Sequence, residues 1–305
     1  MNKGIKFSLL TMVSLGVLAI VPSAQAVSIS PAKFELSTNP GDVVQNVIRI
    51  YNDSAEPVNV TVNVDNFSPT GEAGQVVIDE ISPDTGYSLK SWVTLNESAF
   101  SLEPRGSKAI EFTINVPAHA EPGGHYGSIL ASIAPFSAGG GVGVVQRIGA
   151  LLLLDVSGQV VEKMYVAEFS APSFSEYGPV DLIVRFKNDG SIHLKPRGFI
   201  KITNMLGKDV GQVDIPQSNV LPQSARKFSI PWGHKYLFGK YTATLSAIYG
   251  SENNSLTAVI EFWVIPWKIA GIILLILALI ITLIFRGRRR ISLALRVLRK
   301  GDLAQ

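Results

Sequence analysis

The sequence predicts an all-β protein made of two tandem immunoglobulin-like β-sandwiches plus one C-terminal transmembrane helix. Short runs rich in Val, Ile and Thr alternate in polarity and are separated by turns that contain Gly, Pro and Asn. No stretch before residue 262 has the 3.6-residue periodicity of a helix. One uncharged apolar segment near the C-terminus is long enough to cross most of a bilayer.

Residues 1–26 have the three parts of a secretory signal peptide. Two lysines in the first six residues form a positive region, and residues 7–21 form an almost unbroken apolar run. Ala24 and Ala26 then supply the small residues that signal peptidase needs. We expect cleavage after Ala26; the alternative is an uncleaved membrane anchor.

The first sandwich is predicted over residues 27–157. Every other residue of the segment 58–64 is valine, so one face packs in a core while Asn and Thr face water. Further strands are predicted at 43–51, 75–78, 91–95, 108–116, 126–133 and 144–156.

The second sandwich is predicted over residues 158–265. Asn188-Asp189-Gly190 and the segment 205–208 are typical of turns between strands. Strands are predicted at 180–188, 199–203, 209–213, 226–230, 241–249 and 255–264. Since the last strand runs almost directly into the apolar segment, we expect this sandwich to lie close to the membrane.

Residues 266–286 are predicted to span the membrane, and residues 287–305 to form a basic cytoplasmic tail. The excess of arginine after the span is the positive-inside signature, so the N-terminal bulk of the chain is expected outside the cell. A buried core helix is the alternative, but such a helix normally keeps a polar face. The residues expected at the membrane interfaces are Trp263, Trp267, Lys268, Arg286, Arg288, Arg289 and Arg290.

Charge and cysteine content limit the classes of function. Residues 1–26 and 286–305 hold 9 of the 27 basic and one of the 24 acidic residues, which leaves 18 basic and 23 acidic residues, a net charge of −5. This balance is not that of a nucleic-acid-binding protein. The chain has no cysteine, which excludes disulfides and thiol nucleophiles. No motif points to a metal, a cofactor or a catalytic residue, and we expect none.

The most informative local motif is Pro122-Gly123-Gly124-His125-Tyr126. Proline and paired glycines fix a turn, and Tyr126 begins a strand of small residues that permits close backbone approach. One interpretation is a binding rim; the other is a packing turn between two core strands. The sequence does not separate the two.

Two neighbouring segments have weaker signals. The insertion 66–87 is rich in acids and glycines, and either a calcium site or a solvated loop fits it, the loop better. The glycine run 139–143 lacks the Lys-Ser/Thr of a phosphate loop and is interpreted as a connection between strands.

Several motifs of the first sandwich resemble those of WxL-interacting cell-surface proteins. They are the mature start 27–31, the turn 39–41 before a strand, the turn 102–107 and the segment 122–129. The resemblance implies two immunoglobulin-like domains, a peptidoglycan-associated first domain and a second domain that docks secreted cell-wall proteins. It implies no catalytic residue.

We therefore expect a non-enzymatic, membrane-anchored surface protein that binds peptidoglycan or secreted cell-wall proteins along an exposed sheet edge or loop rim. The alternative is a membrane-tethered accessory subunit or chaperone of an export or surface-assembly system. A cell-wall hydrolase is a third interpretation, which would require a converging pair of buried carboxylates.

Overall fold

The computed structural model describes residues 27–79, 86–135 and 146–301, with Asp79, Pro135 and 287–301 as backbone only. The described chain consists of 18 strands, one three-residue 3-10 helix and one long helix, which confirms the predicted β class. The predicted signal peptide, with Ala24 and Ala26, lies outside the described residues. So do the side chains of Arg288, Arg289 and Arg290.

The elements follow the chain in this order: β1 (Val27–Ser30), β2 (Lys33–Thr38), β3 (Val43–Asn52), β4 (Val58–Thr70), β5 (Gln75–Asp79), β6 (Val93–Leu95), β7 (Ala99–Leu102), β8 (Ser107–Asn115), β9 (Gly123–Pro135), β10 (Gln146–Val156), β11 (Met164–Ser170), β12 (Phe174–Ser175), β13 (Val180–Asn188), β14 (Arg197–Asn204), β15 (Asp209–Asp214), β16 (Ala225–Trp232), β17 (Gly239–Tyr249), β18 (Asn254–Val264) and α1 (Trp267–Gly301).

The chain divides into two compact units. The first comprises residues up to 68 and 78–159, and the second comprises 69–77 and residues from 160 onward. The tip of the β4–β5 hairpin therefore groups with the second unit. The number of domains and their predicted boundaries stay a prediction.

The first unit is a β-sandwich. One sheet has the order β1-β3-β8-β6, and the other has the order β2-β10-β9-β4-β5, with β7 also paired to β4. The alternation predicted for 58–64 is present, because Val58, Val60 and Val62 are buried while the residues between them are exposed. Both sheets contribute to one apolar core, which includes Ile48 and Leu152.

The second unit is also a β-sandwich. A three-stranded sheet, β11-β13-β16, packs on a five-stranded sheet, β12-β18-β17-β14-β15. At one end of its core the rings of Trp232, Tyr241 and Phe262 lie with centroids 5.2–6.0 Å apart. Such aromatic contacts add to the free energy gained by burial.

Each sandwich contains a buried asparagine at the end of an inner strand. Asn52 ends β3, and its Nδ2 donates to the carbonyl oxygens of Glu56 (2.8 Å) and Glu103 (3.0 Å). Asn188 ends β13, and its Nδ2 donates at 2.8 Å to the carbonyl oxygens of Ile192 and Val220. Asn188 was predicted at the start of a turn between strands; both it and Asn52 are buried, and each holds neighbouring loops by hydrogen bonds.

Helix α1 begins at Trp267 and follows β18 after two residues. The segment Trp267–Arg286 is long and apolar enough to cross a membrane, and all its side chains are exposed. Twenty residues at about 1.5 Å each extend about 30 Å, which matches a hydrocarbon core. The exposure argues against a buried core helix.

Candidate binding edge of the second unit

The structure buries most of the motif predicted as a binding rim. Gly123, Gly124, His125 and Tyr126 are buried at the start of β9, and only Pro122 is exposed. A side chain at Gly124 would collide with the Tyr126 hydroxyl, which would lie 1.9 Å from an added Cβ. This geometry is that of a packing turn, and the binding role of the five residues stays a prediction.

His125 is the chemically most unusual member of that motif. Its side chain is 3% exposed, and Nε2 donates to the Glu121 carbonyl oxygen at 2.9 Å. The ring lies against Trp92, with centroids 4.4 Å apart, and among the described residues Nδ1 has no hydrogen-bond partner. The ring packs on its neighbours in the turn, and among the described residues it belongs to no group of three His, Asp or Glu side chains.

The acidic insertion shows no cation site in its described part. Asp65 accepts an ion pair from Lys90 at 2.8 Å, and Glu72 pairs with Arg185 at 3.1 Å. Glu80 and Asp84, and the glycine run 139–143, lie outside the described residues. Across the described ranges, no three His, Asp or Glu side chains group closely enough to hold a metal ion.

The described carboxylates with a shifted pKa do not form an acid–base pair. The hydroxyl of Ser170, followed by the charge of Arg185, holds the pKa of Glu168 below its usual value. The backbone N–H of Asn39 does the same for Asp42. Neither residue is buried, and a general acid needs the opposite shift.

The first unit also has an open groove of about 350 Å³ on the outer face of its larger sheet. Its lining is polar, and Lys90 and Asp65 neutralise each other there. The lining residues include no aromatic ring: they are Asn63, Val64, Asp65, Lys90, Leu130, Ser132 and Arg147.

The clearest binding geometry is the open edge of β18. Strand β18 pairs with β17 along its whole length, but β12 covers its other side only at Trp263 and Val264. The N–H of Trp263 donates to the Ser173 carbonyl oxygen at 3.0 Å on that side. Because N–H groups alternate along a strand, those of Thr257, Val259 and Glu261 point to the same side.

No described residue hydrogen-bonds to these backbone groups. The stretch 255–261, which we call the open edge, is therefore a row of unpaired donors and acceptors seven residues long. Its outward side chains are exposed, and Val259 is 61% exposed. Such a row is a template for pairing with another extended chain.

Strands at the sheet ends of the described chain are short or protected, and among the partly covered strands β3 is also open on the side of β1, over residues 43–48. Strands β1, β2, β5, β6, β7, β12 and β15 have two to six residues. Strand β11 has a bulge between Val166 and Glu168, and β16 contains Pro231. Bulges and proline block pairing, whereas the open edge has no proline, no bulge and a single charged residue, Glu261.

The open edge adjoins a partly exposed part of the core. Ala258 and Ile260 point inward from β18, and Val166 and Phe169 of β11 pack on the same core from the other sheet. All four are only half-buried. We call these four side chains the apolar seam. A strand added to β18 would place every second side chain against the apolar seam and the others in solvent.

Several residues predicted to lie at the membrane interfaces are found where β18 leads into the helix and at the end of its apolar segment. Trp263 is 45% and Trp267 56% exposed, and the Nζ of Lys268 lies 2.7 Å from Oε2 of Glu176. Burial, followed by the Glu176 carboxylate, raises the pKa of Tyr177. Arg286 ends the apolar segment with an exposed side chain. Their place at a membrane surface stays a prediction.

Comparison with known proteins gives structural likeness only. No protein-family model and no curated protein sequence matches the chain. The class 5 fimbriae chaperone CfaA is similar at a TM-score of 0.40 and 16% identity, over 77% of this chain and 98% of CfaA.

The chaperone YadV is similar at a TM-score of 0.40 and 11% identity, over 77% of this chain and 99% of YadV. The E. coli chaperone DraB is similar at a TM-score of 0.36 and 12% identity, over 78% of this chain and 97% of DraB. At such scores the likeness gives no information on what this chain binds.

Proposed function

We propose that this protein is a non-enzymatic, membrane-anchored protein of the cell surface that binds an extended segment of another exported polypeptide by strand addition. The observation that carries the proposal is the open edge of β18, seven residues without a proline or a bulge beside a half-buried part of the core. Main-chain hydrogen bonds to Thr257, Val259 and Glu261 would supply affinity there.

The edge also predicts the pattern of the bound segment. Residues that face Ala258 and Ile260 would be apolar, because they would complete the seam toward β11. Residues that face Thr257 and Val259 would lie in solvent and tolerate polar side chains. The bound segment is therefore expected to alternate in polarity over about six residues, the usual length of a strand.

The cellular location in this proposal rests on the two ends of the chain. The signal peptide predicted at 1–26 would export the chain, and Trp267–Arg286 would stop in the membrane. The basic tail would stay in the cytoplasm, so that the two sandwiches lie outside.

Two kinds of polypeptide partner fit this proposal. The resemblance to WxL-interacting proteins implies secreted cell-wall proteins and a lasting complex. A membrane-tethered accessory subunit or chaperone would instead bind subunits briefly during assembly, and an unprotected edge suits this role equally. A polypeptide matches the spacing of the edge better than a glycan does, so peptidoglycan binding is supported only by the resemblance.

The test is a proline substitution at the open edge. Val259→Pro removes an N–H that faces the open side and leaves the pairing with β17 intact, since the ladder bonds come from Ala258 and Ile260. Val259→Ala removes a similar side chain but keeps the N–H. Full-length chains would be solubilised from native membranes and used to capture exported proteins, with purified peptidoglycan in parallel.

Proline should lower capture about tenfold, since it deletes a hydrogen bond of about 1 kcal/mol and its ring obstructs the approaching strand. Alanine should change capture less than about twofold, because a solvent-facing side chain contributes little. Equal capture by both variants would refute strand addition at this edge. Retention only on peptidoglycan would favour the wall-polymer interpretation, and capture that is lost within minutes would favour the chaperone-like one.

A further inference from the structure

The strand registers identify which loops share an end of the second sandwich with the start of α1. Gly239 of β17 lies opposite Val264, the last residue of β18. Asn204 of β14 lies opposite Tyr241 of β17. The loops 205–208 and 233–238 and the strand β12 are therefore at the end of the sandwich from which the chain enters the helix.

This end exposes an unusual number of large apolar side chains. Their exposed fractions range from 45% at Trp263 to 85% at Leu206. The opposite end exposes Val161, Tyr165 and, at 37%, Ile248 in the described chain. We call the first group the apolar tip; its members are Phe174, Met205, Leu206, Tyr236, Phe238 and Trp263.

The apolar tip is held in place by local contacts. Leu237 is buried between Tyr236 and Phe238, so that these two neighbours point outward. The Tyr241 hydroxyl donates to the Phe238 carbonyl oxygen at 3.2 Å. Gly239, at a φ of 112°, leaves room for Met205, whose Cε would lie 2.9 Å from an added Cβ. The exposure is therefore a property of ordered loops.

Around the apolar tip, unpaired lysines outnumber unpaired acids. Three nearby acids are paired: Glu176 with Lys268 (2.7 Å), Asp209 with Lys201 (2.9 Å) and Glu261 with Lys240 (2.7 Å). A fourth, Asp181 at the start of β13, is exposed and has no basic partner among the described residues. Lys208 and Lys235 are exposed and have no acidic partner among the described residues. The Nζ of Lys235 lies 5.8 Å from the centroid of Tyr236, beside the aromatic rings.

We propose that the apolar tip inserts into the outer interface of the same lipid bilayer that α1 spans, with Lys208 and Lys235 at the level of the lipid headgroups. Two residues separate β18 from α1, so this end of the sandwich cannot lie far from the bilayer. Aromatic and aliphatic side chains are favoured in the interfacial layer of a bilayer, and the flexible side chains of lysines reach the charged headgroups there. The inference rests on the proposed membrane anchoring and adds a second membrane contact.

The absence of cysteine allows a direct depth measurement on the full-length chain. Leu206→Cys and Phe238→Cys would each carry a nitroxide label in vesicles of phosphatidylcholine and phosphatidylglycerol. The exposed Val161→Cys at the opposite end is the matched control, and Leu277→Cys reports on the helix itself. Electron paramagnetic resonance would measure collision of each label with apolar oxygen and with a water-soluble nickel chelate.

The ratio of oxygen to nickel collisions should be about tenfold higher at 206 and 238 than at 161, because a polar chelate is excluded from the apolar interface. Equal ratios at 206, 238 and 161, with nickel excluded at 277, would overturn the inference and leave the anchoring intact. Free access of nickel at 277 would overturn the anchoring and the inference together.

Discussion

Replacing Asn52 with alanine tests whether the stability of the first sandwich depends on the hydrogen bonds of this buried side chain. Asn52 is 1% exposed, and its side chain joins the loop after β3 to the turn before β8. Nδ2 donates to Glu56 and Glu103, and Oδ1 accepts from the backbone N–H (3.1 Å) and hydroxyl (2.7 Å) of Ser54. Four hydrogen bonds of about 1 kcal/mol each make the expected loss of unfolding free energy about 3–4 kcal/mol.

The assay is thermal unfolding of the full-length chain, followed by circular dichroism or dye binding. A loss of this size should lower the unfolding temperature of a unit of this length by about 10 °C or more. Asn59→Ala is the matched control, because Asn59 is exposed on a strand of the same sandwich. If both substitutions lowered the temperature equally, the reasoning from the hydrogen-bond network would be refuted.

Two further predictions concern the turn before β3 and the start of the mature chain. The backbone N–H and Nδ2 of Asn39 hold the pKa of Asp42 below its ordinary value of 3.8. A carboxylate with a lowered pKa stabilises the fold above its unfolded pKa, and the contribution is lost as pH falls through the folded value. Asp42→Asn should therefore lower the unfolding temperature at pH 7 but have little effect well below pH 3.8; an effect independent of pH would contradict this. N-terminal sequencing of the membrane-bound chain should begin at Val27, whereas a start at Met1 would indicate an uncleaved anchor.

The sequence predicted the inner strands well because their alternation is strong. The valines at 58, 60 and 62 determine which face of β4 is buried, whatever the neighbouring strands are. Strands β1 and β2 are short and flank Pro31, and the bulge after Val166 disrupts the alternation of β11. These strands, with β7 and β12, had no counterpart among the predicted ones, because edge pairing depends on tertiary neighbours.

The candidate site was harder to predict for the same reason. The segment 255–264 was predicted as a strand, but the pattern of a strand does not reveal which of its sides lacks a partner. Met205 and Leu206 looked like turn residues, and only the strand registers place them beside Tyr236 and Phe238. For the motif at 122–126 the sequence left a binding rim and a packing turn as alternatives, since glycines that permit close packing are as compatible with a core as with a rim.

Residue-resolved amide hydrogen exchange of β18 tests the central claim most directly. In the chain alone, the N–H groups of Thr257, Val259 and Glu261 should exchange rapidly, while those of Ala258 and Ile260 are protected by β17. Binding of a captured partner should protect the first three. Slow exchange at Thr257 and Val259 in the free chain, or no change on binding, would contradict an open edge that recognises its partner by strand addition.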